Sequence, residues 1–86
     1  MAKQTIKAVR WKEPHTLEIE RQGSGIKSVD ASAVLAGGHR YYSHEIDSSR
    51  DEVLVHSCPK NNHAPTTTHV FNASGGSKGS RGYKKP

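Results

Sequence analysis

The chain has 86 residues and a mass of 9.4 kDa, which suffices for one small domain but not for two hydrophobic cores. Hydrophobic residues make up only 31% of it, and no apolar run approaches the roughly 18 residues of a membrane-spanning helix. These values exclude a membrane protein, a coiled coil and a collagen-like chain. The single cysteine, Cys58, cannot form an intrachain disulfide, and no apolar stretch follows the N-terminal lysines as in a signal peptide. We therefore expect a cytoplasmic protein with a reduced thiol.

The formal net charge of +5 is concentrated at the two ends of the chain. Residues 1–12 carry four basic residues and no acidic one, whereas residues 13–52 contain all eight acidic residues. Residues 53–86 carry five basic residues and no acidic one. A face that binds nucleic acid must be locally basic, so the isoelectric point of about 9.6 suggests binding by the ends rather than by the whole fold.

The first half of the chain predicts two strands and one short helix. Residues 5–11 are rich in β-forming residues, and residues 16–20 alternate polar and apolar side chains as a half-buried strand does. Pro14 lies between them and favours a turn. After a loop at residues 22–25, Ser28 is a candidate helix cap, so we predict a short helix over residues 28–36. A strand over residues 29–35 fits the same pattern nearly as well.

The clearest unit is a hairpin in the second half. Residues 40–47 and 52–58 are β-rich and flank a four-residue turn. If Ile46 lies opposite Val53, one face carries both of these residues together with Tyr42, His44 and Val55. The opposite face then carries Tyr41, Ser43, Glu45, Leu54, His56 and Cys58.

The remainder predicts a loop, a last edge strand over residues 69–72 and a flexible tail. Residues 74–86 are rich in Gly, Ser, Lys and Arg and almost lack apolar anchors, so their burial cannot offset the entropy of ordering them. We predict one small domain at residues 1–73 and a flexible, disordered tail at residues 74–86. The fold class is mainly β: a small antiparallel sheet or a partly open barrel, with one short helix.

Six histidines suggest a metal site as one alternative. Imidazole and thiolate are the usual zinc ligands, and four of them close a tetrahedral site. The candidate zinc ligands are His56, Cys58, His63 and His69. Their spacing lacks the close pairs of recognised zinc modules, so we expect no metal and no other cofactor.

The hairpin also places candidate catalytic residues side by side. On the face that carries His56, Glu45 would be its diagonal neighbour, with Arg40 nearby. Small metal-independent ribonucleases use His, Glu and Arg sets of this kind on a sheet. The register of the hairpin decides whether this acid/base pair exists, because a slip of one residue separates the two side chains. A Glu beside a His on a strand is more often an ordinary cross-strand pair, so we expect a protein that is not an enzyme.

The leading hypothesis is a non-enzymatic module that binds nucleic acid, either RNA or single strands, through its basic ends. Cations hold the phosphates of single strands, and aromatic rings stack on their bases. The candidate nucleic-acid-binding residues are Lys3, Lys7, Arg10, Trp11, Lys12, Tyr41, Lys78, Arg81, Tyr83, Lys84 and Lys85. The alternative is a small accessory or inhibitory protein, of viral or mobile-element type, that docks on a larger protein assembly. A small metal-independent ribonuclease is the third hypothesis.

Overall fold

Seven strands form two antiparallel sheets in the computed structural model, which describes residues 5–83. In both sheets, strands that follow each other in the chain are neighbours. The elements are β1 (Ile6–Lys12), β2 (Thr16–Arg21) and β3 (Gly25–Asp30) in the N-terminal sheet, a 3-10 helix (Ser32–Gly38), and β4 (Arg40–Asp47), β5 (Glu52–Cys58), β6 (Thr67–Asn72) and β7 (Ser77–Gly82) in the C-terminal sheet. The predicted mainly-β fold with one short helix is confirmed.

The N-terminal sheet contains the two predicted strands and one that was missed. Leu17 and Ile19 on β2 are fully buried, because the alternation of β2 turns both side chains into the core. The missed strand is β3, at Gly25–Asp30, where the sequence predicts a loop and the start of a helix. Its side chains are almost all exposed, so no apolar alternation marks it. Hydrogen bonding along β2 holds this edge strand in place.

The predicted helix is shorter than expected and begins later. It is a 3-10 helix over Ser32–Gly38, and Val34 is the side chain that it buries. Ser28, the predicted cap, belongs to β3 instead. The backbone leaves helical geometry at Ala36 and turns left-handed at Gly37, with φ of 69°. Glycine adopts this conformation without the steric cost that a β-carbon brings, which explains why the helix ends here.

The predicted hairpin is present with the predicted bounds, β4 at Arg40–Asp47 and β5 at Glu52–Cys58. Ile46 lies opposite Val53, which confirms the predicted register near the turn. All seven residues of β5 are buried. This strand lies between β4 and β6 and packs on both of its faces, so it forms the centre of the C-terminal sheet.

A bulge in β4 corrects the predicted faces of two tyrosines. The register shifts between Tyr41 and Ser43, so that Tyr41 lies opposite Ser57 on the inner face. Tyr42, predicted to face inward, is 50% exposed. A bulge places two residues opposite one, and strict alternation therefore fails beyond it. Strand alternation counted along the sequence contains no sign of this extra residue.

Two predictions about the C-terminal third also need correction. The predicted edge strand is β6, which runs from Thr67 to Asn72 and lies inside the sheet, paired on both sides. The sequence predicts a flexible tail from residue 74, whereas Ser77–Gly82 form β7. The side chain of Asn72 organises the intervening turn by accepting hydrogen bonds from the backbone N–H groups of Ser74 and Gly76. Backbone pairing thus orders a strand whose side chains are all exposed.

The core lies between the two sheets and the 3-10 helix. Its fully buried members include Ile6, Leu17 and Ile19 from the N-terminal sheet and Val53 and Val55 from the C-terminal sheet. Burial of such side chains contributes about 1.5–3 kcal/mol each. Because the core is small, the polar contacts that join the two sheets also matter for stability.

His44 makes one of these polar contacts. Its Nε2–H donates to the Val9 carbonyl oxygen at 3.1 Å, so its Nδ1 is free to accept the Tyr41 hydroxyl at 2.6 Å. The Trp11 and Tyr41 rings stack beside this bridge, with centroids 4.5 Å apart and planes 6° from parallel. Together these contacts join β1 to β4.

Candidate nucleic-acid interface

An open groove of about 560 Å³ crosses the outer face of the C-terminal sheet, the face turned away from the core. We call it the outer groove. It is lined by Glu45, Leu54, His56, Thr68, Arg81, Gly82 and Tyr83. These residues come from all four strands of the sheet and from the position that follows β7.

Strand register explains why these residues meet. Thr68 on β6 lies opposite His56 on one side and opposite Arg81 on the other. Glu45 on β4 lies opposite Leu54, the neighbour of His56 on the same face of β5. Directly opposed residues in a sheet point to the same side. Histidine, threonine and arginine therefore form a row across β5, β6 and β7, with the glutamate at its β4 end.

His56 is the buried centre of the outer groove, with 7% of its surface exposed. Its Nε2 lies 3.3 Å from Glu45 Oε1, and its Nδ1 lies 2.9 Å from Thr68 Oγ1. An ionised carboxylate only accepts hydrogen bonds, so Nε2 carries the proton and donates to Glu45. In the neutral ring, Nδ1 then accepts the Thr68 hydroxyl. This confirms the predicted proximity of Glu45 and His56, and both ring nitrogens have partners.

Tyr83 and Arg81 form the β7 side of the outer groove. The Tyr83 ring meets the His56 ring edge-on, with centroids 4.8 Å apart and planes at 83°. The backbone N–H of Tyr83 donates to the Thr66 carbonyl oxygen at 2.9 Å, which positions the tyrosine beside the start of β6. Arg81 is exposed and has no ion pair among residues 5–83. A cation and an aromatic ring thus border the same groove.

Lys78, another candidate phosphate contact, has a structural partner. Its ammonium group forms an ion pair with Glu52, whose surface is 5% exposed. A buried carboxylate without a counter-charge is costly, so this lysine stabilises the start of β5. Lys78 also lies with Arg50 and Arg81 around a shallow depression next to the outer groove.

The basic residues of β1 face acidic neighbours. Arg10 lies opposite Glu18, and the two line the same depression. Lys7 Nζ lies 3.7 Å from Glu20 Oε2. Lys12 is exposed opposite Thr16. Glutamates of β2 therefore offset the charges of Lys7 and Arg10, but not that of Lys12. Lys3, Lys84 and Lys85 lie outside the described residues.

The predicted stacking residues are separated into two places. Trp11 and Tyr41 stack on each other at the junction of β1 and β4, so one face of each ring is covered by the other. Burial raises the pKa of the Tyr41 phenol above its usual value. Tyr83, in contrast, lies in the outer groove. Of the three aromatic candidates, it is the one that shares a groove with a candidate phosphate contact.

The four candidate zinc ligands do not come together. His56 and Cys58 lie on the outer face, whereas His69, opposite Val55, lies on the inner face. His63 is exposed in the loop between β5 and β6. Between residues 5 and 83, no group of three or more His, Cys, Asp or Glu side chains could hold a metal ion.

Arg40 does not join the predicted catalytic pair. Its guanidinium donates to the Asn62 carbonyl oxygen at 2.9 Å and lies 4.0 Å from the buried Cys58 sulfur. The register of β4 explains this position, because Arg40 lies opposite Cys58 at the far end of β5. Arg81 is the arginine that borders the groove of His56 and Glu45.

A second histidine cluster, not predicted from the sequence, lies on the inner face. His39 Nδ1 lies 3.1 Å from Ser57 Oγ, and His69 Nε2 lies 3.4 Å from the same oxygen. Ser57 is fully buried. Burial lowers the pKa of His69, and the nearby His39 lowers it further. The three residues are distant in the sequence, and their approach depends on the bulge and on the pairing of β5 with β6.

No family model matches the chain, and comparison with curated proteins and with solved structures finds no significant similarity. Among the residues that the structure describes, no helix is long and apolar enough to cross a membrane.

Proposed function

We propose that the protein binds single-stranded nucleic acid, RNA in particular, along the outer groove. The observation that carries this proposal is that Arg81 and Tyr83 border one open groove, next to the hydrogen-bonding side chains of His56 and Thr68. Cations for phosphates and rings for bases are the two components that single strands require. The proposal assumes an intracellular protein in which Cys58 is reduced.

The chemistry of binding follows from these positions. Arg81 contacts a backbone phosphate, and Tyr83 stacks on the adjacent base. Arg50 lines the neighbouring depression and extends the positive charge to the β4–β5 turn, whereas Lys78 in the same depression is paired with Glu52. One to two neutralised phosphates, at Arg81 and Arg50, predict a slope of about −0.7 to −1.4 for log affinity against log salt concentration on single strands.

Fluorescence anisotropy with a labelled single-stranded RNA tests the proposal. We expect Arg81→Gln and Tyr83→Leu each to weaken binding by about fivefold or more, because one phosphate contact or one stacked base is lost. Arg10→Gln is the matched control, an exposed arginine on the other sheet that lies opposite Glu18. The affinity of this control variant for the RNA should stay within about twofold of that of the unmodified protein.

The outcomes separate the alternatives. If Arg10→Gln weakens binding as much as Arg81→Gln does, diffuse charge rather than the outer groove binds the strand. If no single strand binds at low salt, the proposal is wrong. A protein complex that survives nuclease treatment and moderate salt would then favour the accessory-protein alternative.

The contact between Glu45 and His56 favours a second candidate, metal-independent RNA cleavage. A carboxylate, an imidazole and Arg81 beside one groove are the groups that general acid/base catalysis at a phosphodiester requires. Incubation of an end-labelled RNA with chelator tests it. Cleavage that His56→Ala abolishes would support the ribonuclease, and intact RNA would leave the outer groove as a binding site alone.

A further inference from the structure

The outer groove contains one group that phosphate binding does not explain. Glu45 is an acidic residue whose side chain is 61% exposed, in the groove that Arg81 borders. A carboxylate repels phosphates, so in a purely electrostatic site it would weaken binding. Its Oε1 is held 3.3 Å from the proton-bearing Nε2 of His56. This hydrogen bond fixes one oxygen and leaves the remaining acceptor capacity of the carboxylate directed to solvent.

The chemistry of the bases gives this carboxylate a role. Guanine presents two adjacent donors, N1–H and the N2 amino group, which match the two oxygens of a carboxylate. Adenine and cytosine each offer one amino donor beside a ring acceptor, and uracil offers one N–H between two carbonyl acceptors. An ionised carboxylate has acceptors only, so it repels the acceptor edges of these three bases.

On the basis of the proposed binding of single strands, we infer that Glu45 makes the outer groove selective for guanine. His56 fixes the geometry, because its ring contacts Glu45 at Nε2 and the Tyr83 ring at its edge. The carboxylate and the aromatic ring thus contact the same imidazole and line the same groove. A guanine stacked on Tyr83 directs its Watson–Crick edge at Glu45, while Arg81 holds its phosphate.

Four heptanucleotides test the inference by fluorescence anisotropy: U7 and three variants with a central guanosine, inosine or adenosine. One bidentate contact corresponds to about 5- to 150-fold discrimination. We therefore expect the guanosine strand to bind about tenfold more tightly than U7 or the adenosine strand. Inosine lacks the N2 amino group and retains N1–H, so its strand should have an intermediate affinity.

Glu45→Gln is the decisive variant. The amide replaces one acceptor oxygen with a donor, so the guanosine strand should lose most of its advantage over U7. Glu18→Gln, on β2 of the other sheet, is the matched control and should keep the full preference. Thermal unfolding checks that both variants fold. We expect them to fold because both substitutions lie at the surface.

Two failures are distinguishable. If U7 and the guanosine strand bind equally to the unmodified protein, or if Glu45→Gln keeps the tenfold preference, the guanine inference is wrong and single-strand binding stands. If none of the four strands binds, both the proposed function and the inference are wrong.

Discussion

The carboxylate of Asp51 joins the two sheets, and its removal gives the sharpest test of the fold. Asp51 lies in the turn between β4 and β5. Its Oδ1 accepts the backbone N–H groups of Thr5 at 2.8 Å and Ile6 at 3.1 Å, and its Oδ2 accepts the Thr5 hydroxyl at 2.6 Å. Its φ of 53° is left-handed, a conformation that glycine and asparagine tolerate best.

Asp51→Gly removes all three hydrogen bonds without backbone strain. Hydrogen bonds to charged groups contribute about 1.5–3 kcal/mol each, and partly exposed ones lie at or below the low end. We therefore expect the free energy of unfolding to fall by about 2–4 kcal/mol, which lowers the Tm of a domain this small by roughly 10–30 °C. Asp51→Asn keeps one acceptor oxygen and the left-handed φ, so it should cost only about 1 kcal/mol.

The pH dependence of stability supplies a second test of the Asp51 hydrogen bonds. Burial raises the pKa of Asp51, but the hydrogen bonds from Thr5 and Ile6 outweigh it, and the net shift is downward. The stabilisation is therefore fully present above the unfolded-state pKa of about 3.9 and is lost as the pH falls through the lower folded-state value. Thermal unfolding followed by circular dichroism should show the gap between the unmodified protein and Asp51→Gly narrowing below pH about 4. Equal Tm values at neutral pH, or a gap that persists in acid, would refute this account.

Three further predictions concern the core, a close approach and a histidine. Ile19→Ala should lower the free energy of unfolding by about 2–5 kcal/mol, because Ile19 is fully buried, whereas Ile26→Ala, at a position 57% exposed, should stay within about 0.5 kcal/mol in urea denaturation. Gly75→Ala should lower the free energy of unfolding by about 2–4 kcal/mol, because the φ of Gly75 is +91° and the new β-carbon would lie 2.4 Å from a Val29 methyl group. An unchanged urea midpoint would contradict this close packing. The pKa of His69 is lowered in the folded protein, so its contribution to stability is present above the unfolded-state pKa of about 6.5 and is lost as the pH falls. His69→Gln should therefore reduce the loss of stability between about pH 7 and 5. An unaltered pH profile of stability would argue against the burial of this ring.

Local patterns in the sequence determined most of the strands. Alternation of polar and apolar residues located β2, and β-forming residues around a short polar turn located the hairpin of β4 and β5 with its register at Ile46 and Val53. That register brought Glu45 to His56, so the candidate pair was predictable as well. Side-chain alternation is a property of the strand itself, which is why these features are visible without a tertiary structure.

Tertiary contacts decided the rest. β3 and β7 are ordered by backbone pairing with a neighbouring strand, which leaves no hydrophobic pattern in their own residues. The bulge at Tyr41 reversed the predicted faces of one end of β4, because an extra residue in a strand is set by packing rather than by composition. The pairing of β6 with β7 brought Arg81 to the groove, and Tyr83 follows directly after that strand, although the sequence placed both in a flexible tail. The local sequence pattern specifies which side chains a strand presents on each face, whereas only the assembled sheet determines which strands are neighbours. The outer groove is formed by the pairing of β4, β5, β6 and β7, so it depends on the tertiary structure.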